Sequence, residues 1–228
     1  MPCKGFHVDQ LAMPLVLDVH RFYQWFTRYL VDTAQRLIHI VYPEMNSWGF
    51  STQYDPQNPH LHCIAWASPR IGPLDTVDQC TLAIFIQPPW ILAKQDIDSF
   101  TKCSYLPPFN NQLTGHIDSK YKLWAKVYDT CVAKGCRYFI LSNYNSFALG
   151  VFTEGYTTAF VVKGPDCTST KPNILECLFY WIASSMRVPS SFCVPEVGDE
   201  HSRPFDECPC LVSDMPDMKA AFALCGLS

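Results

Sequence analysis

The chain has 228 residues, of which 48% are hydrophobic and 17% charged, and its net charge is −4. This composition is ordinary for a globular protein, and a chain of this length buries about 70% of its unfolded surface without help from a metal or disulfides. The negative charge and the lack of a basic run disfavour nucleic-acid binding. No apolar run approaches the roughly 20 residues that span a bilayer, and the N-terminal stretch lacks the apolar core of a secretory signal. We therefore expect an intracellular protein, cytoplasmic or nuclear, with no membrane segment.

The twelve cysteines indicate core packing rather than a disulfide framework. Most of them interrupt apolar runs, as Cys63, Cys80, Cys131 and Cys177 do. A free cysteine behaves as a small apolar core residue, and disulfides are rare inside cells. We expect most of the thiols to be reduced and buried.

The order of predicted elements indicates one α/β (α+β) domain. Asp18 is expected to cap a first helix from Val19 to Tyr42, which Pro43 ends. The apolar stripe of this helix is predicted at Phe22, Phe26, Leu30, Leu37 and Val41. The other predicted elements are strands at Trp48–Gln53, His60–Ala67 and Cys80–Ile86, a helical turn at Asp96–Phe100, a helix at Lys120–Ala133, strands at Arg137–Ser142, Phe147–Phe152 and Thr157–Val162, and a helix at Asn173–Met186.

These elements predict a mixed β-sheet flanked by helices. The single domain is expected to span residues 1–228, with a lead-in segment at 1–17 and a core at 18–197. Residues 198–228 read as an acidic, irregular C-terminal tail, since acidic residues and prolines are frequent there.

Two stretches and the element order resemble the core of PD-(D/E)XK nucleases. Leu82–Pro89 is similar to the strand that bears Glu-x-Lys in that fold, and Tyr138–Phe152 is similar to the strand–turn–strand that follows its middle helix. Residues 59–197 also resemble an uncharacterised family of proteins from mushroom-forming fungi. The stretches that carry this second likeness are Gln87–Leu92, Leu123–Trp124, Phe139–Asn145, Gly150–Phe152, Thr157–Phe160, Ile174–Leu178 and Val194–Val197.

The nuclease resemblance implies a degenerate active site. His60 stands at the position that matches the motif aspartate, Phe85 at the glutamate and Gln87 at the lysine. Mg²⁺ requires several oxygen ligands, and residues 79–93 contain no charged side chain. We therefore expect a binding or scaffold domain that takes a small molecule or a protein partner, without metal-dependent nuclease activity.

The alternative is a metal-independent enzyme that acts on a small, largely apolar or aromatic molecule. His60, Asp78 or Glu44 would then supply the acid or base. A zinc site built from His60, His62 and the thiols near the C-terminus is disfavoured, because Cys208-Pro-Cys210 is tighter than the usual zinc spacing. We expect neither a metal nor a cofactor.

The ligand site is expected at the cleft beside the strands His60–Ala67 and Cys80–Gln87, under the first helix. Its lining is predicted from His60, His62, Gln87 and Trp90. The first helix is expected to contribute Tyr29, Asp32 or Arg36 from above.

Overall fold

The computed structural model describes residues 18–53, 61–68, 79–104, 118–195 and 197–198. Its helices are α1 (Val19–Phe26), α2 (Asp32–Val41), α3 (Lys94–Thr101), α4 (Ser119–Lys134) and α5 (Ile174–Ser185). Its strands are β1 (Gly49–Gln53), β2 (His62–Ser68), β3 (Gln79–Ile86), β4 (Tyr138–Ser142), β5 (Phe147–Phe152) and β6 (Ala159–Lys163). No helix in these ranges is long and apolar enough to cross a membrane.

The first helix contains a π-helical turn, Thr27–Val31, which joins α1 to α2. In α2, Ala34 and Ile38 are buried (both 0% exposed), whereas Val41 is 52% exposed. The prediction of Val41 on the core stripe was therefore wrong, and Leu37 is half-buried. A π-helical turn contains one more residue than an α-helical turn. The buried positions of this helix therefore recur every four residues, whereas those of a regular α-helix recur every 3.6 residues.

The sheet has six strands in the order β1-β2-β3-β4-β5-β6. β3 and β4 are parallel and pair from Leu82 with Tyr138 to Ile86 with Ser142. Every other neighbouring pair is antiparallel. The sheet therefore consists of two antiparallel meanders that join along one parallel pair, and the carboxyl ends of β3 and β4 lie at the same edge.

Helices cover both faces of the sheet, as the alternation of side chains in a strand requires. One layer packs α1, α2 and α5 against alternate residues of the strands, including Ile84 and Ile86. The other layer packs α3 and α4 against the intervening residues, including Ala83 and Phe85. The prediction of a mixed sheet flanked by helices is confirmed.

Helix ends agree with the capping residues in the sequence. Asp18 accepts a hydrogen bond from the backbone N–H of His20 at the start of α1. Gly135 ends α4 with a left-handed φ of 63°, a conformation in which glycine has no Cβ penalty. At α5, Asn173 and Glu176 form a reciprocal capping box. The predicted lead-in at 1–17 and nearly all of the predicted acidic tail lie outside the described residues.

The described cysteines contain no disulfide, which agrees with the prediction of free thiols. Cys63, Cys80, Cys131 and Cys136 are buried in the layer between the sheet and α3 and α4. The pKa of Cys80 is raised, mainly by its hydrogen bond with Cys136 and then by burial. A raised pKa keeps the thiol protonated, so Cys80 is a poor nucleophile.

Candidate functional site

The predicted site falls at the edge where β3 and β4 end. Because β2 is antiparallel to β3, His62 at the start of β2 lies opposite Ile86 at the end of β3. The backbone N–H of Gln87 donates to the carbonyl of Ser142 at 3.1 Å and extends the pairing by one residue. In open α/β sheets, ligands bind outside the carboxyl ends of parallel strands, so this edge is a candidate site.

Helix α1 contacts this edge through aromatic side chains. The Tyr23 ring stacks on the His62 imidazole, with centroids 4.2 Å apart and an interplanar angle of 13°. The Phe22 ring packs edge-on against Trp90, with centroids 5.8 Å apart. Trp90 remains 51% exposed while Phe22 is 7% exposed. His62 and Trp90 therefore contact two neighbouring residues of α1, and the prediction that they line one ligand site stays a prediction.

The side chains that α1 contributes differ from those expected. Of the three residues named, Tyr29 is 59% exposed, Arg36 is also exposed and Asp32 is half-buried. Phe22 and Tyr23, one residue apart in the first turns of the helix, make the contacts instead. The signal for Phe22 was present in the apolar stripe, whereas Tyr23 could be placed only once the rotation of the helix was known.

Burial shifts the pKa values of the two stacked side chains, Tyr23 and His62, in opposite directions. It raises the pKa of Tyr23 to about 12, and a hydrogen bond to the backbone of His62 acts in the other direction. It also lowers the pKa of His62, to which repulsion from His20 adds. Both shifts favour the neutral form of the side chain. At neutral pH the Tyr23–His62 pair is an uncharged stacked surface.

The hairpin between β4 and β5 closes the other side of this edge. The Oδ1 atom of buried Asn143 accepts from the backbone N–H groups of Asn145 (3.1 Å) and Ser146 (2.8 Å), and its Nδ2 donates to the carbonyl of Leu92 (2.8 Å). Asn143 therefore has a structural role, because it holds the hairpin against the segment that follows β3. Tyr144, with a φ of 75°, is 40% exposed and packs edge-on against Phe26 of α1.

Of the three residues that the nuclease resemblance aligns with its motif, the structure describes Phe85 and Gln87. Phe85 is 0% exposed in the α3 and α4 layer, whereas His62 lies on the opposite face of the sheet with α1. Gln87 is 9% exposed, and Phe85 precedes it by two residues. Strand alternation accounts for this separation, since Phe85 follows Ile84 and precedes Ile86, both of which pack against the other layer.

Of the three predicted acid–base candidates, the structure describes Glu44. Glu44 is exposed in a short turn after α2. Tyr23, which stacks on His62, lies near the other end of the same helical segment, about 27 Å from Val41 at 1.5 Å per residue. His60 and Asp78 lie outside the described residues. Within the described ranges, no group of three or more His, Cys, Asp or Glu side chains has a metal-binding arrangement.

Among the cavities lined by described residues, two lie away from this edge. One, of 570 Å³, lies between the amino ends of β3 and β4 and the ends of α4 and α5. The other, of 420 Å³, lies between α4 and the β5–β6 connection, and its lining includes the aromatic residues Trp124, Phe152 and Tyr156. Neither cavity includes His62, Gln87 or Trp90. The lining predicted for a ligand site at the α1 edge stays a prediction.

No family model, no curated protein and no solved structure matches this chain.

Proposed function

We propose that the protein is a non-catalytic binding domain on a PD-(D/E)XK-like scaffold, which holds a neutral, largely aromatic partner at the α1 edge. The observation that carries the proposal is the packing of Phe85. This residue occupies the position that matches the metal-binding glutamate, and it is 0% exposed in the core beneath α3 and α4. A phenyl ring cannot coordinate a hard cation, and a filled core leaves no room for one.

The α1 edge supplies a surface suited to an aromatic partner. Trp90 and Tyr144 are half-exposed, come from two different loops, and both pack against α1. Exposed aromatic side chains of this kind provide much contact area and lose little conformational entropy on binding. The neutral state of Tyr23 and His62 favours an uncharged molecule over a phosphate at this edge.

The first experiment tests the loss of nuclease chemistry. Purified protein is incubated with plasmid DNA and with RNA in the presence of Mg²⁺ or Mn²⁺, and we expect both substrates to remain intact. Cleavage that is lost on substitution Gln87→Ala would contradict the proposal, because it would show a working active site at the motif position.

The second experiment tests the binding surface. Indole and naphthalene are used as neutral aromatic probes, and their contact with the protein is measured by saturation-transfer NMR. We expect Trp90→Ala and Gln87→Ala to weaken binding while the fold remains, since the Gln87 backbone hydrogen bond to Ser142 survives in alanine. Tyr180→Ala is the matched control, because Tyr180 is a 46% exposed aromatic residue on α5. Equal losses in all three variants would contradict binding at the α1 edge.

A further inference from the structure

The 570 Å³ cavity at the amino ends of β3 and β4 is lined by three basic side chains. They are Lys134 in the last turn of α4, Arg137 before β4, and Arg187 after α5. None of the described residues that line the cavity is acidic. In a chain with a net charge of −4, this concentration of positive charge is opposite in sign to the molecule as a whole. We call it the basic cavity.

Turns at the ends of two helices place these cations. Gly135 (φ 63°) reverses the chain after α4 and Arg187 itself has a φ of 56° after α5. Arg137 and Arg187 both lie close enough to the Tyr138 hydroxyl to oppose the rise in its pKa that burial causes. In the part of the chain that the structure describes, neither guanidinium belongs to an ion pair.

Stabilisation of the helix ends explains the presence of only some of these three basic residues. A basic side chain near the last carbonyls of a helix interacts favourably with the helix dipole, and this accounts for Lys134 and Arg187. It does not account for Arg137, which precedes a strand, or for the open volume between the three groups. The arrangement has the features of an anion site.

The other residues that line the basic cavity indicate which uncharged group a ligand would carry beside its anionic group. Trp48, Tyr138 and Met186 provide apolar surface, and the hydroxyls of Thr81 and Ser185 lie 3.1 Å apart on the cavity lining. The volume is within the range of about 300–1,000 Å³ that small-molecule sites occupy. Arginine pairs hold phosphate through paired, charge-assisted hydrogen bonds.

We propose that the basic cavity binds a small phosphate monoester with an aromatic body, held through Arg137 and Arg187. The site lies at the edge opposite to α1, so it is independent of the function proposed above. Two negative charges on the phosphate match two guanidinium groups, and Trp48 and Tyr138 offer the aromatic contact.

The test uses isothermal titration calorimetry of the full chain with three probes: phenyl phosphate, inorganic phosphate and phenol. We expect phenyl phosphate to bind with a Kd below about 1 mM, inorganic phosphate more weakly, and phenol not detectably. Raising the salt concentration should weaken the binding of phenyl phosphate, because the contact is between charges.

Variants separate the cavity from general surface charge. The double substitution Arg137→Ala with Arg187→Ala should raise the Kd for phenyl phosphate by roughly tenfold or more, since charge-assisted hydrogen bonds are lost. The corresponding pair of Arg→Lys substitutions should give an intermediate Kd, because charge is kept and the fork geometry is lost. Arg36→Ala, at an exposed arginine on α2, is the matched control and should leave the Kd unchanged. Circular dichroism verifies that each variant is folded.

Three results would overturn the proposal. One is an unchanged Kd in the folded double variant, and another is an equal loss in Arg36→Ala, which would indicate non-specific attraction. The third is binding that appears only when the acidic residues between 199 and 217 are replaced by Asn and Gln. In that case the occupant of the basic cavity would be a carboxylate of this chain.

Discussion

Substitutions at Phe85 test whether this position of β3 lies in a packed core or in an open cleft. Phe85 lies on β3 in the middle of the sheet, with Cys63 of β2 and Leu141 of β4 as its lateral neighbours in the same layer. Removal of a fully buried phenyl group costs about 3–5 kcal/mol of unfolding free energy. In a domain of this size that loss lowers the thermal midpoint by about 6–20 °C.

Phe85→Glu is the sharper test, because it introduces the glutamate that the proposed nuclease resemblance would place at this position. In a packed core an unpaired carboxylate adds a desolvation cost of several kcal/mol, which approaches the whole stability of a typical domain, about 5–15 kcal/mol. We therefore expect Phe85→Ala to be destabilised and Phe85→Glu to be unfolded.

The assay is thermal unfolding followed by circular dichroism, with Val162→Ala as the control. Val162 is 58% exposed on β6, so its truncation should change the unfolding free energy by less than about 0.5 kcal/mol. A folded Phe85→Glu protein with a midpoint close to that of the unsubstituted chain would refute the packing argument. It would show that the position opens onto a polar cleft.

Three other predictions follow from buried polar groups. Asn143→Ala should cost about 1–3 kcal/mol in denaturant unfolding, because two backbone N–H groups and a carbonyl lose their partner, whereas Asn145→Ala, at an exposed position, should cost less. Because the folded-state pKa of Tyr23 is raised from 10 to about 12, stability should fall as the pH rises through that range, and Tyr23→Phe should show a smaller loss. Mass spectrometry of alkylated native protein should find Cys167 and Cys193 modified first and the buried Cys131 and Cys136 last; modification of all four at one rate would contradict the burial.

Most of the fold was predictable because its signals are local. Period-two and period-3.6 patterns located the helices and strands, and Gly135 marked the end of α4 as expected. The face of α2 was not predictable from the same pattern, because the π-helical turn at Thr27–Val31 changes the helical repeat without a recognisable sequence signal. The periodicity of this segment fits a straight helix equally well.

The candidate sites were less predictable, since they depend on residues that are distant in the chain. The sequence predicted that His62 and Trp90 line one cleft under the first helix, but their contacts with Tyr23 and Phe22 could be found only from the packing of α1. The basic cavity was not foreseen. Lys134, Arg137 and Arg187 occur singly among neutral residues, so no charge run revealed that the ends of α4 and α5 meet at one edge of the sheet.

The single parallel pair in the sheet has a consequence for folding. Each antiparallel meander joins strands that are near neighbours in the chain, so β1–β3 and β4–β6 can each form through short-range contacts. The β3–β4 ladder, in contrast, closes only after residues 87–137, which include α3 and α4, have been traversed. Loop-closure entropy must be overcome before such a long-range pairing becomes favourable, and long-range pairing slows folding. We therefore expect the joining of the two meanders, with α4 docking across the seam, to be the rate-limiting event of folding.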